Sequence, residues 1–250
     1  MAGHSKWANI RHRKERQDKK KGKIWSKCSK AIMAAARAGG PDPDTNLALR
    51  YAIDEAKYAN MPKDTIQRAI DKGAGASGGE NFEEIVYEGF GPGGVALIIE
   101  ALTDNKNRTV TDVRQAFKKN GGNLGNAGAV SFMFQTKGQI VLAGKHDENT
   151  VMEMALEAGA EDVQPPEGDD GAWVILTEPS DFQQVKEAFE AAGIEIAEAG
   201  ITKLPNDQQE VRGEDARKLL NLIDALEDSD DVQKVYSNAS IPDDELANLE

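Results

Sequence analysis

The chain has 250 residues and a formal net charge of −13, with 39 % hydrophobic and 29 % charged residues. That composition suits a globular protein of one large or two to three small domains. A typical long apolar run, Val95–Ile99, ends at Glu100, far short of the roughly 18 residues that cross a bilayer, so no membrane partner is expected. Cys28 is the only cysteine, which excludes an internal disulfide and a multi-cysteine zinc site. The N-terminus carries basic charge but no apolar segment behind it, so no export signal is read and a cytoplasmic location is expected.

Charge is strongly segregated. Residues 1–37 hold twelve Lys/Arg and two acids, a local +10, which leaves −23 on the remainder. A basic arm on an acidic body is the footprint of a polyanion-binding protein. The expected nucleic-acid contacts are His4, Lys6, Trp7, Arg11, His12, Arg13, Lys14, Lys19, Lys20, Lys21, Lys23, Lys27, Lys30 and Arg37. The cations would meet phosphates, Trp7 could stack on an unpaired base, and His4 and His12 could donate to phosphate.

Residues 1–22 are too polar to bury a core, which predicts a mobile arm that orders on binding. Residues 23–38 follow as an amphipathic helix, with Trp25, Cys28, Ile32 and Ala36 on one face and Lys23, Lys27, Lys30 and Arg37 opposite. Gly39-Gly40-Pro41 ends it. A second helix starts at an Asp44 N-cap, with Leu49, Ala52, Ile53, Ala56 and Ala59 as its apolar stripe. Pro62 suits the first position of a third, closed by Gly73, and residues 73–81 read as a linker.

From there the period changes. Residues 84–90 and 95–102 form a hairpin about Gly91-Pro92-Gly93-Gly94, followed by a helix over 109–119. Residues 121–128 (GGNLGNAG) make a loop with a short strand near Leu124. Then come strand 139–143, helix 148–158, strands 162–164 and 172–177, helix 180–192 and strand 195–204. This β-α-β-β-α-β order is that of a ferredoxin-like unit. Helix 214–227 and strand 232–236 lack a complete core of their own, so they are expected to return to the hairpin and helix of residues 82–130. The fold class is therefore α+β: an all-helical N-terminal domain, then two α+β domains, the last ferredoxin-like and inserted into a discontinuous middle one. The expected boundaries are 1–80 for arm and helices, 81–131 plus 205–239 for the middle domain, 132–204 for the insert and 240–250 for an acidic tail.

Chemical motifs are sparse. Gly89–Gly94 formally matches G-x-G-x-x-G, but a strand rather than a helix follows it, so a hairpin turn is the simpler account. No phosphate-binding G-x-x-x-x-G-K-[ST] occurs. The three histidines, His4, His12 and His146, stand near no nucleophile motif and no metal-ligand spacing. Neither an enzyme nor a cofactor nor a small-molecule substrate is expected.

Several blocks resemble the YebC/PmpR family: Met1–Ile10, His12-Arg13-Lys14, Gly22-Lys23-Ile24, Asn60–Asp64, Arg68-Ala69-Ile70, Tyr87–Gly94, Asn105–Thr109, Gly121–Gly125 and Asp231–Tyr236. The resemblance spans essentially the whole chain. It implies a helical domain followed by two α+β domains, and a probable DNA-binding transcriptional regulator. Relatives that include a mitochondrial translational activator imply the alternative, a ribosome-associated translation factor that binds structured RNA.

Overall fold

A computed structural model describes residues 21–75, 81–166 and 171–248. Three helices come first: α1 Lys21–Gly39, α2 Leu47–Tyr58 and α3 Lys63–Ala74. Cys28, Ile32 and Ala36 recur every four residues along α1, so one stripe faces the helical core, where Leu49, Ala56, Ile66 and Ile70 meet it. Asn46, not Asp44, caps α2: its side chain accepts from the Leu49 amide at 3.1 Å, and its Nδ2 donates to the Ala35 and Gly40 carbonyls. Gly73 does not close α3 but lies inside it. A Cβ there would sit 2.4 Å from the Met33 carbonyl oxygen, so glycine is what lets α1 and α3 approach.

The next segment builds an antiparallel hairpin, β1 Glu83–Phe90 and β2 Ala96–Thr103, then α4 Lys106–Lys119 and the two-residue β3 Asn123–Leu124. Asn105 caps α4 by accepting from the Arg108 amide. Residues 134–205 contain β4 Phe134–Leu142, α5 Glu148–Ala158, β5 Asp162–Gln164, β6 Val174–Thr177, α6 Phe182–Ala191 and β7 Ile196–Pro205. The chain closes with β8 Gln209–Glu210, α7 Gly213–Glu227, β9 Val232–Ser237, β10 Ala239–Ser240 and α8 Asp243–Asn248.

The described residues form two compact units: residues 135–204, and residues 21–134 together with 205–248. In the first, the sheet order β5-β6-β4-β7 is the ferredoxin-like arrangement. Its core joins Ile140, Leu142 and Ile175 of the sheet to Val151, Ala155, Val185 and Phe189 of the helices, all fully buried.

In the second unit the sheet order is β3-β1-β2-β9, so the strand after the insert completes the sheet begun before it. Val95, Leu97 and Ile99 pack with Val113 and Phe117 of α4 and with Leu219, Leu222 and Leu226 of α7. The opposite side of β2 is covered too, because Ala96 and Ile98 pack with Val130 and Tyr236. Burial on both faces explains why this stretch is a continuous apolar run rather than an alternating one. The segment expected as an acidic tail departs from that reading. Ala239 and Ser240 pair in parallel with Gln209 and Glu210, and Ile241 and Leu246 join the core. These two apolar residues anchor the segment, and two of its carboxylates find partners: Asp244 pairs with Arg212, and Glu245 accepts from the Gly213 amide at 2.9 Å.

Glu88 fixes the loop that follows β3. Its carboxylate is buried and accepts from the amides of Gly128 (2.9 Å), Val130 (2.8 Å) and Ser131 (2.9 Å). Burial alone would raise its pKa, but the three backbone donors outweigh burial and hold it below the usual carboxylate range. The contribution to stability is therefore present above the ordinary glutamate range and lost as pH falls through the lowered pKa. Glu88→Gln should strip hydrogen-exchange protection from the Gly128, Val130 and Ser131 amides while the β2 amides stay protected. Equal protection in the two proteins would show that the carboxylate does not hold the loop.

Candidate nucleic-acid interface

Of the residues expected to meet nucleic acid, His4, Lys6, Trp7, Arg11, His12, Arg13, Lys14, Lys19 and Lys20 lie outside the described residues. Lys21 opens α1. The other four can be placed, and three do not form an open basic stripe. Lys23 Nζ donates to the Asp228 carbonyl at 3.0 Å, Lys27 Nζ to the Glu227 carbonyl at 2.6 Å and Lys30 Nζ to the Asp230 carbonyl at 2.8 Å. These acceptors are the C-terminus of α7 and the turn after it, where unpaired carbonyls and the helix dipole favour cations. Periodicity put the lysines opposite the apolar face correctly, but that face docks on α7. Arg37, about two helical turns beyond Lys30, is exposed.

The centre of this docking is Asp231, whose side chain is only 5 % exposed. Arg108 reaches both of its oxygens, with Nε–Oδ2 at 3.0 Å and Nη2–Oδ1 at 2.9 Å. Lys30 Nζ adds a contact at 3.0 Å to Oδ1, and the Thr109 hydroxyl donates to Oδ2 at 2.9 Å. Burial pushes the Asp231 pKa up, but Arg108, Lys30 and Thr109 outweigh it and the group stays below the usual carboxylate range. Arg108 is held charged by Asp231 first and by Asp104 second. One carboxylate thus ties α1, α4 and the start of β9 together, and Lys234 to Glu55 (3.3 Å) adds a link from β9 to α2.

Beside this node opens a cleft of about 620 Å³ lined by Lys30, Phe82, Asp104, Arg108, Asp112 and Asp228 to Asp231. Its acids outnumber its two cations, and both cations are already engaged, so it does not suit a phosphate. Among the described residues, no group of three or more His, Cys, Asp and Glu could hold a metal ion. No helix among them is long and apolar enough to cross a membrane. Trp25 packs with the helical core and donates its indole N–H to the Ala59 carbonyl at 3.0 Å. Cys28 is buried, and burial pushes its thiol up to about 12, which leaves it protonated and inert near neutral pH.

The sequence signals that were missed are Asp231 and Arg108. They are ordinary charged residues in the sequence, separated by the whole insert, and only the fold pairs them.

Helices rooted by lysines on an α+β body, with a ferredoxin-like insert, define a three-part architecture. That architecture is shared with known proteins. The family model described as the TACO1/YebC protein N-terminal domain matches residues 5–76, and the TACO1/YebC second and third domain matches residues 82–239. A probable transcriptional regulatory protein of Bordetella petrii is 56 % identical, covering 95 % of this chain and 97 % of that protein. One of Pseudomonas savastanoi pv. phaseolicola is 54 % identical over 100 % of both. The crystal structure of a conserved hypothetical protein from Aquifex aeolicus superposes with a TM-score of 0.79 at 48 % identity, over 89 % of this chain and 91 % of that one. The chain belongs to the TACO1/YebC family.

Removing the carboxylate charge at the node leaves Lys30 and Arg108 without their counter-ion. Asp231→Asn should therefore cost about 3 kcal/mol of unfolding free energy, read by denaturant titration; a loss below about 1 kcal/mol would make the node dispensable. Lys27 gives a second check. Burial lowers its pKa to about 8 against the opposing pull of Glu227. Between that value and the ordinary lysine pKa of about 10.4 the unfolded chain binds more protons, so this group's contribution rises with pH across the window. NMR titration of the Lys27 side chain should show a midpoint near pH 8. An ordinary lysine midpoint would mean that α1 is not seated on α7.

Proposed function

We propose that this chain is a nucleic-acid-binding regulator of gene expression that acts on DNA through its basic N-terminal segment. The observation that carries the reading is the charge distribution: +10 over residues 1–37 against −23 elsewhere. The names of the Bordetella and Pseudomonas relatives support the regulatory part. Docking of Lys23, Lys27 and Lys30 refines which residues are available. Lys27 and Lys30 are engaged within the protein and the half-exposed Lys23 is paired with Asp228, so the phosphate contacts fall to the cations before α1, from Lys6 to Lys20, with Lys21 at its start. Each phosphate neutralised releases counterions and adds affinity without sequence information.

The acidic remainder disfavours other approaches of a polyanion and so orients the encounter, within a screening length of roughly 8 Å at physiological salt. Among the described residues of α1, α2 and α3, no cluster of Arg, Asn and Gln is laid out for base edges, which favours modest sequence preference. The reading assigns no catalytic step, and its site is the cytoplasm.

The test replaces Lys14, Lys19 and Lys20 by Ala, leaving the docked lysines intact. Affinity for duplex DNA should fall, and the slope of log K against log salt should shrink by about 0.9 for each phosphate contact removed. An unchanged slope would remove the N-terminal segment from the mechanism. Co-sedimentation with ribosomes that survives excess DNA would overturn DNA as the target and favour structured ribosomal RNA, with the chain a translation factor.

A further inference from the structure

We infer that the C-terminal half of α4 and the loop after it form a second phosphodiester-contact surface, separate from the N-terminal segment. The inference rests on the reading that the chain binds nucleic acid. It starts from a local reversal of charge. Residues 113–146 contain no Asp or Glu at all, in a chain that has 43 of them. The part of this stretch in the larger unit carries Arg114, Lys118 and Lys119, all exposed.

The two halves of α4 treat their cations differently. Lys106 pairs with Glu83, and Arg108 with Asp104 and Asp231. Arg114, Lys118 and Lys119 make no ion pair among the described residues. Arg114 and Lys118 stand one turn apart on the same side of the helix. Lys218 of α7 joins them, since a Cβ on Gly121 would lie 3.9 Å from its Cδ. Glu214 is the carboxylate that an ion pair brings to this group, through Lys218 at 2.8 Å.

Lysines in a last helical turn can simply complement the helix dipole. That explains Lys118 and Lys119, but not Arg114 a turn earlier, nor the absence of acids through the loop. It also leaves unexplained why the loop is so firmly held. The Gly122 amide donates to the Phe117 carbonyl at 2.9 Å and the Gly125 amide to the Glu88 carbonyl at 2.8 Å. Gly121 has a φ of +76°, and Gly122 lies so close to the Phe90 carbonyl that a Cβ would approach to 2.8 Å. Beyond it the Glu88 carboxylate clamps three more amides. This scaffold presents two exposed amide side chains, Asn123 and Asn126, with the small exposed residues Ala127 and Gly128 beside them. A rigid, cationic rim with amide side chains, whose one carboxylate, Glu214, is paired with Lys218, is matched to a sugar-phosphate backbone, and its rigidity lowers the ordering cost of binding.

The experiment measures binding of a fluorescein-labelled mixed-sequence RNA strand and of a duplex DNA of the same length across a salt series. Four full-length proteins are compared: the unaltered chain, R114Q/K118A/K119A, the N-terminal variant K14A/K19A/K20A, and K63A/K72A as a control with exposed α3 lysines removed. Melting temperatures report on folding, and the single R114Q variant, away from the helix end, carries the test if the triple variant is unstable. The expected result is a Kd about tenfold weaker for R114Q/K118A/K119A, with a salt slope smaller by about 2, and little change in the control. A patch variant that binds like the unaltered chain would overturn the inference while leaving the N-terminal reading standing. Equal losses in patch and control variants would overturn it too, by showing diffuse attraction. Loss in the patch variant alone, with K14A/K19A/K20A binding normally, would support the patch and sink the N-terminal reading. If the unaltered chain binds neither probe, both readings fall. Whether RNA or DNA shows the larger slope change identifies which backbone the rim takes.

Discussion

A buried carboxylate holds the larger unit together. Asp231 receives a two-pronged contact from Arg108, an ammonium from Lys30 and a hydroxyl from Thr109. Those partners come from a helix of the N-terminal part and a helix of the middle part, so the charge is neutralised only when both have packed. A group with its solvation removed and four good contacts in return is neutral in net cost but severe in its demand for geometry. That demand is what turns three helices and a sheet into one body. The lysine row along α1 extends the same logic, since the carbonyls ending α7 need donors as much as the lysines need acceptors.

This arrangement changes how the basic character of the chain should be read. A count of charge treats all twelve cations of residues 1–37 alike. The structure places three of them, Lys23, Lys27 and Lys30, as fasteners on the carbonyls that end α7. Basic residues on α4 divide too: its first half is ion-paired, and its second half makes no ion pair among the described residues. Fraction of charge spent, rather than charge present, separates scaffold from surface.

Much of this architecture is legible in the sequence, for physical reasons that can be named. Strong periodicity makes residues 148–158 and 162–164 coincide with α5 and β5, and the alternation of elements defines the ferredoxin-like insert. The incomplete core of residues 205–239 points to a discontinuous middle domain because α7 and β9 cannot bury Leu219, Leu222 and Val235 against each other alone. What is not legible are interactions whose partners lie far apart. Asn46 as the cap of α2, Gly73 as a contact point under Met33, and Ile241 and Leu246 as core residues depend on neighbours from other elements. Asp231 sits in a block, Asp231–Tyr236, that carries family resemblance, yet nothing local distinguishes it from the acids before it. A lysine on the polar face of a helix reads as solvated until another helix end is known to face it.

The split of the middle sheet also governs the order in which a nascent chain can settle. Leu97 of β2 pairs with Ser237 of β9, and Lys27 waits for Glu227, a separation of 200 residues. The ferredoxin-like unit, by contrast, draws all its strands from residues 134–205 and can close as soon as it leaves the ribosome. The earliest part of the chain to be synthesised is therefore the last to be seated. Through most of synthesis α1 lacks its docking partner, and its lysines gain their acceptors only when the final fifth of the polypeptide arrives. A message truncated ahead of α7 would yield a finished insert beside an open half-sheet, exposing the apolar run of β2 to a neighbouring chain.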